Sequence, residues 1–227
     1  LAEKCFKDYR KKYIKYFDTN KKKVKDKKII LDTSPRVILV QNVGLFSVGD
    51  SLGAAKIAGD LTETNARVIS SVEETSKYKF IPEKDLFDVE YWSLEQAKIK
   101  KVKKDLQGNV VVITGSFGAI GSATYKLFKS YGAEVVLLDY NLQKVKEMKS
   151  KVKDLCLHCD VTNKDSVKRA FKTIAEIYGG IDILISNAGK AIGGSIAEVD
   201  DKILRQSFED NFFSHQNCAS ETIKIMK

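Results

Sequence analysis

The sequence has little of what marks secreted, membrane or metal-binding proteins. Its 227 residues include four cysteines, two histidines and two prolines, and this cysteine content is too low for a disulfide-bonded scaffold. No apolar stretch approaches the about 20 residues that span a bilayer, and no signal-peptide pattern is present. Hydrophobic residues make up 43% of the chain, as in globular proteins. We therefore expect a cytoplasmic protein with no membrane partner and no metal site.

Acidic residues are too few to balance the basic ones, and the formal net charge is +9. A nucleic-acid-binding protein would spread such an excess over one face of its fold. Here the excess lies mainly in residues 1–30 and 98–104. The aromatic residues of the first segment recur at helical spacing and do not form a basic platform on which bases would stack. The sequence therefore predicts solvated lysines and no nucleic-acid partner.

Residue spacing in the first hundred residues predicts a small α/β region. In order, the pattern indicates an amphipathic helix, a short buried strand, a turn with a second strand and a long helix, at residues 2–17, 36–41, 44–49 and 51–72. Residues 80–92 are expected to be extended, because Pro82 interrupts a continuous helix. Residues 98–107 read as a charged linker.

After residue 108 the pattern becomes regular. Val110–Thr114 is apolar throughout, which is typical of a central parallel strand covered on both faces. Further strands are expected at residues 134–139, 155–159 and 181–186, each followed by a helix, and the last helix runs from about residue 200 to the end of the chain. Such alternation predicts a Rossmann-like, doubly wound α/β fold with a parallel sheet.

A glycine-containing turn lies between the first of these strands and its helix. Gly115 allows a tight turn and Gly121 allows close helix packing, so backbone N–H groups at the helix start can face a pyrophosphate. Some two dozen residues later, Asp139 ends the second strand, where a carboxylate accepts hydrogen bonds from an adenosine ribose. An acid there repels a 2′-phosphate, so the sequence predicts NAD as the cofactor in preference to NADP.

Residues 114–121 (TGSFGAIG), 160–162 (DVT) and 187–189 (NAG), together with Asn211 in the segment FEDNFF, resemble the ordered signature of short-chain dehydrogenases. The resemblance covers roughly residues 108–227. It implies an NAD-dependent oxidoreductase for a small aldehyde or alcohol, in which Asp160 contacts adenine and Asn211 positions a water in the catalytic proton relay. The implied cofactor-binding residues are Gly115, Ser116, Ala119, Ile120, Gly121, Asp139, Asp160, Val161, Asn187, Ala188 and Gly189. Ala119 departs from the family, where glycine is commoner, and its methyl group tightens the approach to the phosphate.

The catalytic serine and the Tyr-x-x-x-Lys pair of that family would follow the next strand, which this chain does not contain. Two pairs have the right spacing, Tyr125 with Lys129 and Tyr140 with Lys144. The first lies on the helix after the glycine turn and the second beside the adenosine end, so neither is expected to reach a nicotinamide. We expect a truncated dehydrogenase that is inactive by itself. The alternative is a non-catalytic dinucleotide-binding protein of the same fold.

The segment Cys156-Leu157-His158-Cys159 is similar in composition to a metal or redox motif. It lies in a predicted strand, where alternate side chains point to opposite faces and so cannot converge on one ion. His215 has no neighbouring ligand set in the sequence. Both are interpreted as structural.

Residues 35–53 and 86–98 resemble the connecting region of the bifunctional rhamnulose-1-phosphate aldolase/short-chain dehydrogenase family. The resemblance implies that residues 1–97 are the tail of a class II aldolase (adducin-like) domain, 98–107 a linker and 108–227 a truncated NAD-binding domain. It also implies cleavage of rhamnulose 1-phosphate, oxidation of lactaldehyde and a homo-oligomeric parent. Aldolases of this kind hold zinc with histidines, but the first histidine here is His158, and Val43 stands where a ligand would be expected. We therefore expect the chain to be an internal fragment whose parent's zinc site lies upstream of Leu1.

Overall fold

The computed structural model describes residues 2–98 and 103–226. The chain divides into two compact units, Leu1–Lys103 and Lys104–Lys227. Residues 99–102 of the predicted linker lie outside the described residues. Leu106, which the sequence also assigns to the linker, packs against the core of the second unit. No helix in the described ranges is long and apolar enough to cross a membrane.

The first unit contains four helices and one hairpin within its described residues. Helix α1 is Ala2–Asn20, followed by a 3-10 turn at Lys21–Lys23. Strands β1, Val37–Val40, and β2, Gly44–Ser47, precede α2, Leu52–Glu73, α3, Glu83–Glu90, and α4, Ser93–Lys98. The predicted first helix and the long helix are confirmed, and Ser51 accepts a hydrogen bond from the Ala54 amide as the N-cap of α2.

The predicted buried strand at residues 36–41 is a strand, but its burial was predicted wrongly. β1 and β2 form an antiparallel two-stranded sheet, in which Leu39 is 74% exposed. Helix α2 covers one face of this sheet, and it does so closely, since a Cβ added at Gly59 would lie 3.1 Å from Ser47 Oγ. A two-stranded sheet covered on one side leaves the apolar side chains of its other side in solvent.

The predicted extended stretch at residues 80–92 is wrong, because most of it is helix α3. Pro82 stands immediately before the helix, where a missing N–H and a fixed φ are tolerated. Phe87 and Tyr91 are one helical turn apart and stack with ring centroids 4.6 Å apart. Both are at most 2% exposed and form a core cluster with Phe17 of α1. Burial of this aromatic pair stabilises α3, whereas Pro82 only marks where the helix begins.

The second unit is built on a four-stranded parallel sheet. Its strands are β3, Val110–Thr114, β4, Glu134–Asp139, β5, Leu155–His158, and β6, Ile183–Ile185. They lie in the order β5-β4-β3-β6. The order reverses between β3 and β6, and in open α/β sheets ligands bind in the crevice at the carboxyl ends of the strands at such a point. The expected Rossmann-like fold is confirmed.

Helices cover both faces of this sheet. They are α5, Ala119–Ser130, α6, Leu142–Lys151, α7, Lys164–Tyr178, and α9, Ser214–Met226. Between β6 and α9 the chain also forms α8, Asp201–Phe208, which has no buried residue. Val110 and Val112 of β3 belong to the core cluster shared with α7 and α9, whereas Val111 and Ile113 belong to the cluster shared with α5 and α6. Alternate side chains of β3 therefore pack into two separate cores, one on each face of the sheet.

The final helix differs from the expected continuous one. A π-helical segment, Glu209–Phe213, separates α8 from α9 and contains Asn211. Such segments are rare and frequently lie at functional sites.

Candidate cofactor site

A cavity of about 610 Å³ lies at the carboxyl ends of the parallel strands, within the size range of ligand pockets. Four loops, α8 and the π-helical segment contribute to its wall. The lining residues are Gly115, Gly118, Ala119, Ile120, Gly121, Asp139, Tyr140, Asn141, Lys144, Asp160, Val161, Thr162, Asn187, Ala188, Gly189, Lys190, Gln206 and Asp210. Among the residues predicted to bind a cofactor, Ser116 is absent from this wall, and the predicted catalytic residue Asn211 is absent as well.

The glycine turn after β3 depends on the absence of side chains at two positions. Gly115 has φ +60°, and a Cβ there would lie 2.9 Å from Ala188 Cα. A Cβ at Gly121 would lie 2.7 Å from Ser116 Cα and closer still to the Gly115 carbonyl oxygen. The turn therefore packs directly on the helix start and on the loop after β6, as close backbone approach requires.

The N-terminus of α5 faces the cavity without a side-chain cap. Gly118 is the N-cap residue and has no capping side chain, and Ala119 and Ile120 begin the helix. Uncapped N–H groups and the positive end of the helix dipole together favour a phosphate. The residues of the turn thus fit the pyrophosphate of a dinucleotide.

Ser116 lies beneath the turn and does not line the cavity. It is 1% exposed, and its hydroxyl donates to the Leu138 carbonyl oxygen at 3.1 Å. Its side chain fastens the glycine turn to β4, which differs from the direct cofactor contact that the resemblance implied.

Asp139 is held at the end of β4 by two backbone amides. Its Oδ2 accepts from the Phe117 amide at 3.1 Å and its Oδ1 from the Asn141 amide at 3.0 Å. The side chain is 6% exposed and lines the cavity. Since a carboxylate oxygen has more than one acceptor site, each oxygen retains capacity for a ribose hydroxyl.

The loop after β5 is shaped by Asp160 and anchored by the last helix. Asp160 Oδ1 accepts from the amide of Thr162 at 3.0 Å and from its hydroxyl at 2.7 Å. Asn217 of α9 donates from Nδ2 to the Val161 carbonyl oxygen at 3.1 Å. These bonds keep the Asp160–Val161 backbone at the cavity wall.

Asn187 joins the loop after β6 to the glycine turn. Its amide donates to Thr114 Oγ1 at 2.9 Å, and its Nδ2 donates to the Thr114 and Gly115 carbonyl oxygens at 3.0 and 3.2 Å. Ala188 donates from its amide to the same threonine oxygen at 3.0 Å. Thr114, fully buried, opens the segment 114–121, but its role in joining the two loops is not evident from the sequence, where it is simply the last residue of a strand.

Asn211 holds the backbone of Lys190. Its Oδ1 accepts from the Lys190 amide at 2.9 Å, and its Nδ2 donates to the Lys190 carbonyl oxygen at 2.8 Å. A Cβ at Gly189 would lie 2.7 Å from Asn211 Oδ1, so the glycine permits this approach. Asn211 therefore positions the loop after β6, and the water-positioning role stays a prediction.

Two charged cavity residues, Lys190 and Asp210, received no role from the sequence. Lys190 Nζ lies 5.4 Å from the centroid of the Tyr140 ring and 3.6 Å from Asp210 Oδ2. Asp210 is 6% exposed. Lys190 directly follows the Asn-Ala-Gly segment and Asp210 directly precedes Asn211. Their positions next to these motifs are the sequence signal that could have identified them as cavity residues.

The two Tyr-x-x-x-Lys pairs occupy different places. Tyr125 Oη donates to Asp154 Oδ2 at 2.7 Å, and Lys129 Nζ lies 2.8 Å from Asp154 Oδ1, away from the cavity wall. Burial, then the hydrogen bond to Asp154, raises the pKa of Tyr125, the opposite of what a catalytic phenol needs. Tyr140 and Lys144 line the cavity beside Asp139.

The cysteines and histidines show no shared site in the described part of the chain. Cys156 and Cys159 belong to different core clusters, and burial raises the pKa of Cys159 to about 11. His215 Nδ1 lies 2.5 Å from Ser186 Oγ. Among the residues that the structure describes, no group of three or more potential ligands is placed to hold a metal.

Two family models match the chain, one in each half. The sequence model described as "short chain dehydrogenase" matches residues 109–227, which is the part that carries the sheet, the glycine turn and the cavity. The chain belongs to the short-chain dehydrogenase family. A second model, "Aldolase class II, second domain", matches residues 1–99.

Curated relatives support the same assignment. The chain is 30% identical over 195 residues to "Uncharacterized oxidoreductase YuxG" of Bacillus subtilis (strain 168), covering 82% of this chain and 28% of that protein. It is 40% identical over 91 residues to secoisolariciresinol dehydrogenase of Forsythia intermedia, covering 39% and 33% of the two chains. The chain thus spans about a third or less of the length of these two relatives.

A solved structure supports the fold. A short-chain dehydrogenase/reductase described as glucose/ribitol dehydrogenase, from Brucella melitensis, superposes with a TM-score of 0.52 at 23% sequence identity. The superposition covers 56% of this chain and 55% of that one.

Proposed function

We propose that residues 108–227 bind NAD in the cavity at the ends of the parallel strands, as the cofactor part of a dehydrogenase for a small alcohol or aldehyde. The observation that carries the proposal is the joint placement of the uncapped α5 N-terminus and the buried Asp139 on one cavity wall. A helix N-terminus provides for the pyrophosphate, and a carboxylate at the end of the second strand provides for the ribose.

Each part of the dinucleotide has candidate contacts in this wall. The pyrophosphate would lie on the backbone amides at the start of α5, the adenosine ribose against Asp139 and the adenine against Asp160 and Val161. The loop 187–189 would face the second nucleotide, because it follows β6, on the other side of β3 from β4. When bound, the nicotinamide supplies the hydride acceptor or donor.

NAD is proposed over NADP because of charge at the ribose. A 2′-phosphate placed beside the Asp139 carboxylate would put like charges together in a partly desolvated site, which is costly. Fluorescence titration of this chain with NADH and with NADPH tests the proposal. We expect NADH to bind more tightly; equal or tighter binding of NADPH would contradict the NAD assignment, and no binding of either would contradict the cofactor assignment.

We propose that the parent protein joins this dehydrogenase to a class II aldolase, with domain divisions at residues 1–97, 98–107 and 108–227. The support is the order of the two family matches along one chain. In this proposal the aldolase part cleaves rhamnulose 1-phosphate, and the dehydrogenase part oxidises the lactaldehyde produced, in a cytoplasmic homo-oligomer. Residues 1–97 contribute no histidine to a zinc site.

The coding sequence beyond residue 227 tests the enzyme proposal. We expect it to continue into a strand ending in serine and then a Tyr-x-x-x-Lys pair, and we expect no lactaldehyde oxidation by residues 1–227 alone. A stop codon directly after residue 227 would favour a non-catalytic dinucleotide-binding protein. The engagement of Tyr125 and Lys129 by Asp154 agrees with both functions, because neither uses this pair for catalysis.

A further inference from the structure

Asp210, in the π-helical segment, is a buried carboxylate with one unsatisfied oxygen. It is 6% exposed, and its Oδ1 accepts from Gln206 Nε2 at 3.1 Å. Within the described part of the chain, no donor is hydrogen-bonded to Oδ2. The Lys190 ammonium forms an ion pair with that oxygen at 3.6 Å, which is beyond hydrogen-bonding distance. Because burying an acceptor without a donor is unfavourable, a ligand donor is expected at this atom.

The position of Asp210 is at the adenosine end of the cavity. Lys190, which contacts Asp210 Oδ2, also lies over the ring of Tyr140, the residue that follows Asp139. Asn217, two helical turns beyond Asp210, is hydrogen-bonded to the Val161 carbonyl oxygen. Asn211 of the same segment holds the Lys190 backbone in the loop after β6. Asp210 therefore lies where this loop meets the loop after β4, within the reach of one lysine side chain from Tyr140 and the proposed ribose site.

We propose that Asp210 is a specificity-determining residue for the base of the dinucleotide, and that its Oδ2 accepts a hydrogen bond from the exocyclic amino group of adenine. The inference rests on the proposed function and deepens it. The Lys190 side chain is 57% exposed, so its ammonium has room in solvent when the base approaches Oδ2. Asp160 is less suited to recognise the adenine amino group by itself, because its Oδ1 already accepts two hydrogen bonds from Thr162.

The chemistry predicts discrimination between amino and oxo purines. Adenine presents an N–H donor at its six-position, whereas hypoxanthine presents a carbonyl oxygen there. The Asp210 carboxylate can accept a hydrogen bond from the amino group of adenine. Opposite the carbonyl oxygen of hypoxanthine it faces another acceptor, so the carboxylate oxygen and the carbonyl oxygen both stay unsatisfied in a buried site. The proposed contact therefore favours NADH over nicotinamide hypoxanthine dinucleotide.

Equilibrium titration of the 227-residue chain with these two reduced dinucleotides tests the proposal. The unsubstituted chain is expected to bind NADH roughly tenfold or more tightly, since hydrogen bonds to charged groups are the stronger class. Asp210→Asn is nearly isosteric, and its amide can donate to the oxo group. The preference should therefore fall to about twofold or less, mainly through tighter binding of the hypoxanthine analogue.

Asp201→Asn is the matched control, because this carboxylate is 74% exposed on α8 and pairs with Arg205. It should leave the preference unchanged. Equal affinity of the unsubstituted chain for the two dinucleotides would overturn the Asp210 proposal while leaving NAD binding intact. A preference that persists in Asp210→Asn would also overturn it. Binding of neither dinucleotide would overturn the proposed function and this inference with it. The comparison on the unsubstituted chain does not depend on the folding of a variant.

Discussion

At the residue scale, the shape of the cavity depends on glycines, which have no side chain, as well as on the side chains that line it. Gly115 and Gly121 allow the turn after β3 to lie against its own helix and against Ala188. Asp139 and Asn187 then tie that turn to the neighbouring loops through backbone amides and carbonyls. A rigid backbone frame of this kind presents N–H groups without reorganisation when an anion binds.

Substitution of Asp139 should change the choice between cofactors. In Asp139→Asn the charge that repels a 2′-phosphate is removed, so the ratio of the NADPH to the NADH dissociation constant should fall by roughly tenfold or more. Fluorescence titration measures both constants. Asp201→Asn, which removes an exposed charge on α8, should leave the ratio unchanged. An unchanged ratio in Asp139→Asn would place the ribose elsewhere.

Gly121→Ala should destabilise the second unit. The added methyl group would lie 2.7 Å from Ser116 Cα, which is backbone and has little room to move. Overpacking of this kind costs about 1–3 kcal/mol, so the thermal midpoint should fall and NADH binding should weaken. Gly180→Ala is the control, since a Cβ there meets nothing within 4 Å. Equal stability of the two variants would show that the turn relaxes freely.

At the element scale, tertiary burial decided the structure where local signals were ambiguous. The stretch around Pro82 carries a helix breaker and acidic residues, yet Glu83–Glu90 is helical. Two of its aromatic residues meet Phe17 of α1 in one cluster, and Tyr13 Oη donates to Glu90 Oε1 at 2.6 Å. A short helix of eight residues has little stability by itself, so this packing maintains it.

Phe87→Ala should therefore unfold or strongly destabilise the first unit. Phe87 is 2% exposed, and removal of a buried phenyl group costs about 3–5 kcal/mol. Chemical denaturation followed by circular dichroism measures the loss. Phe80→Ala makes the same substitution at a residue that is 83% exposed and should change stability by about 0.5 kcal/mol or less. Similar losses in both variants would contradict the helical packing of α3.

At the scale of the whole molecule, two units with separate cores lie on one chain. Each unit matches a different family, and the cavity is built entirely from residues of the second. The proposed cofactor site can therefore be tested without reference to the aldolase part.

Thiol labelling should report the cores of the folded chain. Cys156, Cys159 and Cys218 are buried, and burial raises the pKa of each thiol, that of Cys218 to about 12. Because the thiolate is the reactive form and its fraction falls as the pKa rises, these three should stay unlabelled at pH 8 while the exposed Cys5 reacts. A disulfide-exchange reagent should label one thiol in the native chain and four in denaturant. Cys5→Ser should abolish the native signal, and rapid labelling of that variant would contradict the burial.

The sequence by itself determined the parallel sheet, the glycine turn and the acidic residue at the end of β4. These features depend on continuous apolar runs, on glycine where a Cβ does not fit and on strand alternation, all of which are local properties. Most of the predicted cofactor-binding residues accordingly line one cavity, although their contact with NAD stays a prediction.

Only the tertiary structure decided the exposure of β1, the helix at Glu83–Glu90 and the partners of Ser116 and Asn211. Each depends on which distant element packs against the segment, and residue spacing does not record this. The same holds for Asp210, which directly precedes Asn211 in the sequence. Its Oδ2 is buried without a hydrogen-bond donor among the described residues because the π-helical segment packs at the cavity wall.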